Sequence, residues 1–330
     1  MLSVSIIIPC YNEKNHIQLL LDAICAQTYP IARMEVVIAD GRSTDGTRTI
    51  ISEWCEKHQD LKLNLVENEK RTIPTALNRA IENSSGEFII RLDAHSHPYP
   101  DYVERTVSSL EAGIAENVGG VWEIKPGANT WIASSISIAA SHPLGVGDAL
   151  YRHGKKAAYV ETVPFGGFRR RLWESLGGFD ESLLTNEDYE FNSRILQSGG
   201  RIWCDPEIRS IYYSRATLGG LIRQYWRYGY WKYRMLRRFP KTIRWRQVLP
   251  PVFVGSLITG FLLSWNPLIA MLLVVELLLY SIIVMIVGSV LSIQHKTPFL
   301  LIGIPASIAS MHIAWGSGFL WSLATRLLKN

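Results

Sequence analysis

Residues 93 and 95 are an aspartate and a histidine separated by one alanine, and they close the largely apolar run Phe88-Ile89-Ile90-Arg91-Leu92. The run follows a turn signal, Ser84-Ser85-Gly86, and has the composition of a buried strand. Strand side chains repeat every second residue. Asp93 and His95 are therefore expected on one face at the carboxyl edge of a sheet, where open α/β sheets hold their ligands. A carboxylate and a neutral imidazole suit Mn²⁺ or Mg²⁺ holding a diphosphate. A second acid, Asp40, ends the run Glu35-Val36-Val37-Ile38-Ala39. There it can accept a hydrogen bond from a nucleotide's base imide or ribose hydroxyl, and equally it can cap the following turn. Acids gather again at Glu187-Asp188-Tyr189-Glu190, where a helix is expected to open, and the helix dipole alone accounts for them.

The elements around these positions alternate. Short β-branched runs at 4–8, 35–39, 61–66 and 88–93 read as strands, and 17–25, the stretch from about 48, and 75–81 have helical spacing. Asp45 or Thr47 can cap the second helix. The expected class is α/β, a mainly parallel sheet with helices on both faces. Neither a Walker motif nor G-x-G-x-x-G is present, which disfavours P-loop and dinucleotide chemistry. Residues 118–164 say little: 145–154 reads as a mobile loop, and the isolated His142 and His153 carry no chemistry.

The last third differs in kind. The chain of 330 residues carries a net charge of +5, yet beyond Glu207 its one acid is Glu276. Residues 218–246 mix Arg and Lys with Tyr and Trp at helical spacing, suited to a helix in a headgroup layer. RNA could use similar chemistry, but no nucleic-acid motif accompanies the segment, so no nucleic-acid partner is expected. Apolar stretches at 252–263, 268–293 and 299–323 are expected to enter a membrane, with the basic segment holding the preceding domain on the cytoplasmic side. Three crossings would leave Arg326 and Lys329 outside, and one reentrant segment would place them inside. The four cysteines have no metal-ligand or C-x-x-C spacing and read as buried thiols in a reducing compartment. The apolar run at 4–8 is too short for the core of a signal peptide.

Ser5-Ile6-Ile7-Ile8-Pro9-Cys10-Tyr11-Asn12-Glu13 and Asp40-Gly41-Arg42-Ser43-Thr44-Asp45-Gly46-Thr47 resemble the start of a family 2 glycosyltransferase of the GT-A fold. Asn78, Gly86 and Leu92-Asp93-Ala94-His95 continue the pattern in order. The Asp-Ala-His form, with His97-Pro98 and Asp101-Tyr102 after it, resembles the membrane-bound ExoA-like branch known from succinoglycan synthesis. The resemblance implies a Rossmann-like catalytic domain over 1–215; composition and hydropathy add basic aromatic interface helices over 216–248 and a transmembrane region over 249–330. The resemblance also implies a donor site drawing on Pro9, Tyr11, Glu13, Asp40, Arg71 and Asp93, with Asp93 and His95 on Mn²⁺ or Mg²⁺. His95 stands where the family carries a second Asp, which bears on metal preference.

The same resemblance gives Asp188 a role as the base that deprotonates an acceptor hydroxyl, with Glu187 beside it. Displacement at an anomeric carbon needs such a base opposite the departing diphosphate, and one base with no covalent nucleophile gives inversion. Gln224-Tyr225-Trp226-Arg227-Tyr228 resembles the Gln-x-x-Arg-Trp motif of processive relatives, with Tyr228 in place of Trp. Gln224 and Arg227 are thus candidates for the donor diphosphate. The expected enzyme is an inverting hexosyltransferase of the plasma membrane, multi-pass, with a cytoplasmic catalytic domain. It would move a sugar from a UDP-sugar, UDP-glucose or a relative, to a polyprenyl-diphosphate-linked sugar in exopolysaccharide assembly. The rivals are a polyprenyl-phosphate sugar synthase, for which Asp188 would be dispensable, a processive polysaccharide synthase, and a non-catalytic nucleotide-binding scaffold.

Overall fold

A computed structural model describes residues 3–240 and 243–327. The chain forms two compact units, each drawn from two stretches of sequence. The first comprises residues up to Glu123 together with His153–Tyr212, and the second comprises Ile124–Arg152 together with Tyr213 onward.

In the first unit, β1 (Val4–Cys10), β2 (Met34–Asp40), β3 (Lys62–Glu67) and β4 (Phe88–Arg91) alternate with α1 (Ile17–Cys25), α2 (Thr47–Lys57) and α3 (Ile73–Glu82). The order in space is β3-β2-β1-β4, all parallel, with Ile6 facing Val36 on one side and Ile90 on the other. β1, β2 and β4 are almost entirely buried, which explains why they read as continuous apolar runs rather than alternating ones. The sheet then continues with antiparallel strands through β8 (Gly167–Arg169), β6 (Asn117–Lys125), β9 (Ile202–Tyr213) and the two-residue β5 (His97–Pro98), with β7 (Ala158–Tyr159) on β9. The α/β class holds, as a mixed, mostly parallel sheet. α4 (Tyr102–Glu111), α7 (Arg170–Leu176) and α8 (Glu187–Gln197) complete this unit. Strand ends depart from the sequence reading: β1 runs on through Pro9, and β4 stops two residues short of Asp93.

The second unit is helical: α5 (Trp131–Ala139), α6 (Pro143–Val146), α9 (Leu218–Arg238), α10 (Trp245–Leu262), α11 (Pro267–Gln294) and α12 (Leu300–Leu327). Part of the stretch read as a mobile loop is thus α6 and a 3₁₀ turn at Leu150–Arg152. α9 lies against α12 at glycines: a Cβ on Gly229 would sit 2.1 Å from the Trp315 carbonyl oxygen, and one on Gly318 2.1 Å from that of Trp226. Polar side chains link the apolar helices. Ser256 Oγ donates to Glu276 Oε1 (2.5 Å), Tyr280 Oη and His312 Nδ1 lie 3.1 Å apart, and His312 Nε2 lies 2.9 Å from the Leu144 carbonyl. Among the described helices α11 and α12 are long and apolar enough to cross a membrane. The first of the three apolar stretches, within α10, is not among them and carries Pro250 and Pro251 inside the helix. Lys241, Thr242 and Lys329 lie outside the described residues.

Candidate active site

The carboxyl ends of β1, β2 and β3 stand side by side, Cys10 opposite Asp40 and Asp40 opposite Glu67. The loops leaving them are tied together. Asn12 N donates to Ser43 Oγ (2.8 Å), Thr44 N to Asn12 Oδ1 (2.9 Å), and Glu13 N to Thr47 Oγ1 (2.8 Å). One residue in each loop holds a left-handed backbone without being glycine: Asn12 (φ 55°), Arg42 (φ 61°) and Arg71 (φ 54°). Such residues persist only where their surroundings impose them, and they collect at ligand clamps. No glycine marks these positions, so they are not visible in the sequence.

Tyr11 is exposed, with the Arg71 guanidinium 5.5 Å from its ring centroid, and Gly41 lies beneath, where a Cβ would come within 3.1 Å of Tyr11 Cδ2. This ring is a flat surface on which a nucleobase can stack. Pro9 pairs with Ala39 at the end of the strand behind it. Asp40 is 1% exposed, and both its oxygens serve the turn: Oδ1 accepts from Ser43 Oγ (2.5 Å) and Oδ2 from Ser43 N (3.0 Å), with Arg48 Nε 3.6 Å from Oδ2. Of the two readings open for Asp40, the turn contact is the one its side chain makes.

Because β4 ends at Arg91, Asp93 and His95 do not share a strand face; they lie in a turn where Ser96 N donates to the Asp93 carbonyl (2.8 Å). Each is braced separately. His95 Nδ1 lies 3.0 Å from Glu13 Oε1, while Glu13 Oε2 lies 3.2 Å from His16 Nδ1. A carboxylate on Nδ1 selects the tautomer with the lone pair on Nε2, the arrangement that orients histidines toward metals. Asp93 Oδ1 accepts from Arg91 Nε (3.2 Å) and Nη2 (3.1 Å). One carboxylate and one braced imidazole fit Mn²⁺ better than Mg²⁺. Among the described residues no group of three or more His, Cys, Asp or Glu is arranged to hold a metal ion. Asp93 and His95 are thus too few ligands alone, and phosphate oxygens and water would have to complete the sphere.

The other wall is the first turn of α8. Asn78 fixes the approach to it: its Oδ1 accepts from Phe179 N (2.8 Å) and its Nδ2 donates to the Phe179 carbonyl (2.9 Å). Asn186 then turns the chain with φ 67°, and Glu187 and Asp188 open the helix. Glu187 is buried and its Oε1 accepts from Arg91 Nη2 (2.9 Å). Asp188 is partly buried, and among the described residues its carboxylate accepts from Tyr189 N alone (2.7 Å). Loss of surrounding water, and then the charge of Glu187, push its carboxyl up to about 7, against the pull of Arg91. A carboxylate poised there matches what a general base needs near neutrality.

Arg91 was missed, since in the sequence it is only an interruption of an apolar run. It is buried, and although burial alone would lower its pKa, Asp93, Glu187 and Asp188 outweigh that and raise it. A cavity of about 10 Å³, room for roughly one water, is lined by Arg91, Asn117, Gly166, Asp188 and Asn192 among others. Gly166 is required there, because a Cβ would fall 2.2 Å from Asn117 Oδ1. Gln224 and Arg227 belong to α9 in the second unit, where Gln224 Nε2 donates to Tyr228 Oη (2.9 Å) and Arg227 is exposed.

Comparison with known proteins adds a family, two relatives and a solved structure. The family model described as Glycosyl transferase family 2 matches residues 5–177. The succinoglycan biosynthesis protein ExoA of Rhizobium meliloti is 30% identical over 95% of this chain and 93% of its own. A dolichyl N-acetyl-α-D-glucosaminyl phosphate 3-β-D-2,3-diacetamido-2,3-dideoxy-β-D-glucuronosyltransferase of Methanococcus voltae is 31% identical over 79% of this chain and 83% of its own. Among solved structures, the mannosyltransferase PcManGT of Pyrobaculum calidifontis, in complex with GDP-Man and Mn²⁺, aligns with a TM-score of 0.63 at 22% identity. That alignment covers 96% of this chain and 87% of that one.

Proposed function

The chain belongs to glycosyl transferase family 2, and from that premise we propose that it is a membrane-bound inverting transferase extending a lipid-linked glycan. The donor is a UDP-sugar, UDP-glucose or a close relative, and the acceptor is a sugar hydroxyl on a polyprenyl diphosphate. The observation that carries this reading is Asp188: a carboxylate short of hydrogen-bond donors, its pKa raised to about 7, in the unit that also holds Asp93.

The residues divide the work by position. Tyr11 and Arg71 take the nucleobase, with Pro9 and Asp40 shaping the floor behind them. Asp93, with His95 held by Glu13, supplies the two protein ligands for a divalent ion. When bound, that ion neutralises charge on the leaving diphosphate. Asp188 accepts the proton of the acceptor hydroxyl as it attacks the anomeric carbon, and a single displacement inverts the configuration there. A hydroxyl acceptor needs such a base, whereas a lipid phosphate is already ionised. The methanococcal relative, whose name specifies a sugar on dolichyl phosphate as acceptor, supports a sugar-bearing lipid. The apolar α11 and α12 support a membrane location, and the arginines of α9 support a cytoplasmic face for the catalytic unit.

The test is nucleotide release by detergent-purified protein with Mn²⁺, across a panel of UDP-sugars and GDP-mannose. Polyprenyl phosphate and polyprenyl-diphosphate-sugar are offered in parallel. Turnover confined to the sugar-bearing lipid is the expected result. Turnover with the bare phosphate would make the protein a lipid-phosphate sugar synthase and leave Asp188 without its role.

A further inference from the structure

Arg91 is 5% exposed, and nothing in the donor or base assignments employs its guanidinium. Its Nε and Nη2 both reach Asp93 Oδ1, at 3.2 and 3.1 Å, and Nη2 also reaches Glu187 Oε1 at 2.9 Å. Nη1 is buried and has no partner among the described residues. Arg91 also lines the small cavity that Asp188 lines. One buried cation therefore serves carboxylates on both sides of the site, Asp93 from the metal-ligand turn and Glu187 from the first turn of α8. A shared cation in a low-dielectric setting makes its partners competitors: whatever weakens one pair strengthens the other.

We propose that Arg91 is a positioning residue that couples the donor side of the site to the acceptor side. A divalent cation drawn to Asp93 with a nucleoside diphosphate displaces part of the Arg91 contact there. The guanidinium is then left to Glu187, fixing the first turn of α8 and with it the Asp188 carboxylate beside the acceptor. The site is thereby assembled for acceptor only once donor is in place. This rests on the reading of Asp93 as a donor-site metal ligand.

Coupling between two sites is reciprocal, so it is testable from the far side. Glu187→Gln removes the competing charge and leaves Arg91 to Asp93, at the expense of the metal. UDP binding to the detergent-solubilised full chain is measured by titration calorimetry with Mn²⁺ and again with EDTA, with GDP as probe should the wild type prefer it. Glu187→Gln is expected to weaken Mn²⁺-dependent binding about fivefold, the lower end of ordinary site–site coupling, and to leave binding in EDTA unchanged. In an Arg91→Met background the same substitution should have no effect, while Arg91→Met alone retains Mn²⁺-dependent binding and loses turnover. A purely structural Arg91 would lose both together. Should Arg91→Met fail to melt cooperatively, Arg91→Lys takes its place, and the Glu187→Gln effect should fall below about twofold as the fork is lost. A wild-type affinity in Glu187→Gln, or an undiminished effect without the Arg91 fork, overturns the coupling. A wild type whose nucleotide binding ignores Mn²⁺ overturns the metal-ligand reading of Asp93 and the coupling with it.

Discussion

Glu35 and Asp188 are two carboxylates of the same unit with opposite fates. Glu35, at the start of β2, is shut from solvent and surrounded by donors: Ser5 Oγ (2.8 Å), Ser85 N (2.5 Å), Ser85 Oγ (2.9 Å), Gly86 N (3.2 Å) and Lys62 Nζ (2.8 Å). Burial by itself raises its pKa, but Lys62, the Ser85 backbone and the two serine hydroxyls together hold it down at about 2. Asp188 accepts from one backbone N–H, and the water it has lost, then the Glu187 charge beside it, move its pKa the other way. Burial pushes both carboxyls up; the donors around Glu35 reverse that push, and Asp188 has too few to do so.

Four measurements can break or sharpen that contrast. The largest effect is expected from Asp188→Asn, which should lower turnover by about 10³-fold, within the range for losing a general base, while nucleotide affinity stays within about twofold. A variant that keeps its activity on a sugar-hydroxyl acceptor would end the assignment. Next, Asp93→Ala should cost about a hundredfold in Mn²⁺-dependent UDP affinity, comparable to other losses at metal sites, read by calorimetry with and without EDTA. Third, kcat/KM of the wild type should climb about tenfold per pH unit below about 7 and then level off, since Asp188 acts when deprotonated. Glu187→Gln should move that limb to lower pH, because the Glu187 charge is part of what raises it. The smallest effect falls on stability. Glu35→Gln should cost about 2 kcal/mol in denaturant unfolding with turnover per folded molecule unchanged.

The two acids also oppose each other in the acid limb of stability. The folded pKa of Glu35 lies below its ordinary 4.5, so its contribution is present above about 4.5 and is lost as pH falls toward about 2. The folded pKa of Asp188 lies above its ordinary 3.8. Its contribution is therefore greatest below 3.8 and is lost as pH rises to about 7, a slope that Asp188→Asn should abolish.

Much of the parallel half of the sheet was legible because β1, β2 and β4 are covered on both faces, which leaves unbroken β-branched runs. The two-residue strands β5 and β7 were invisible, being too short to carry any period. The break between the interface helices expected over 216–248 was not read: α9 ends at Arg238, and α10 begins at Trp245. In the site, strand spacing put Asp93 and His95 on one face, whereas Arg91 and Glu13 place them, and Asp188 was singled out by the family resemblance alone. Arg91 escaped notice because its partner Glu187 lies 96 positions away, and a charge inside an apolar run is informative only with its partner in view. The left-handed backbones at Asn12, Arg42 and Arg71 left no trace because the loops that impose them are built from three separate stretches.

The second unit is assembled from pieces that leave the ribosome far apart in time. Leu144, whose carbonyl meets His312, is synthesised 168 residues before it, and Ser135, beneath Gly303, equally long before its neighbour. At roughly 5–20 residues per second that is a wait of about ten to thirty seconds. Throughout it the apolar face of α5, Ile136 and Ala139, lacks α12, the helix that later covers it. The vulnerable moment in the life of this protein is therefore set by the translation schedule, and slowing the ribosome between codons 213 and 300 should lower its yield without touching the finished molecule.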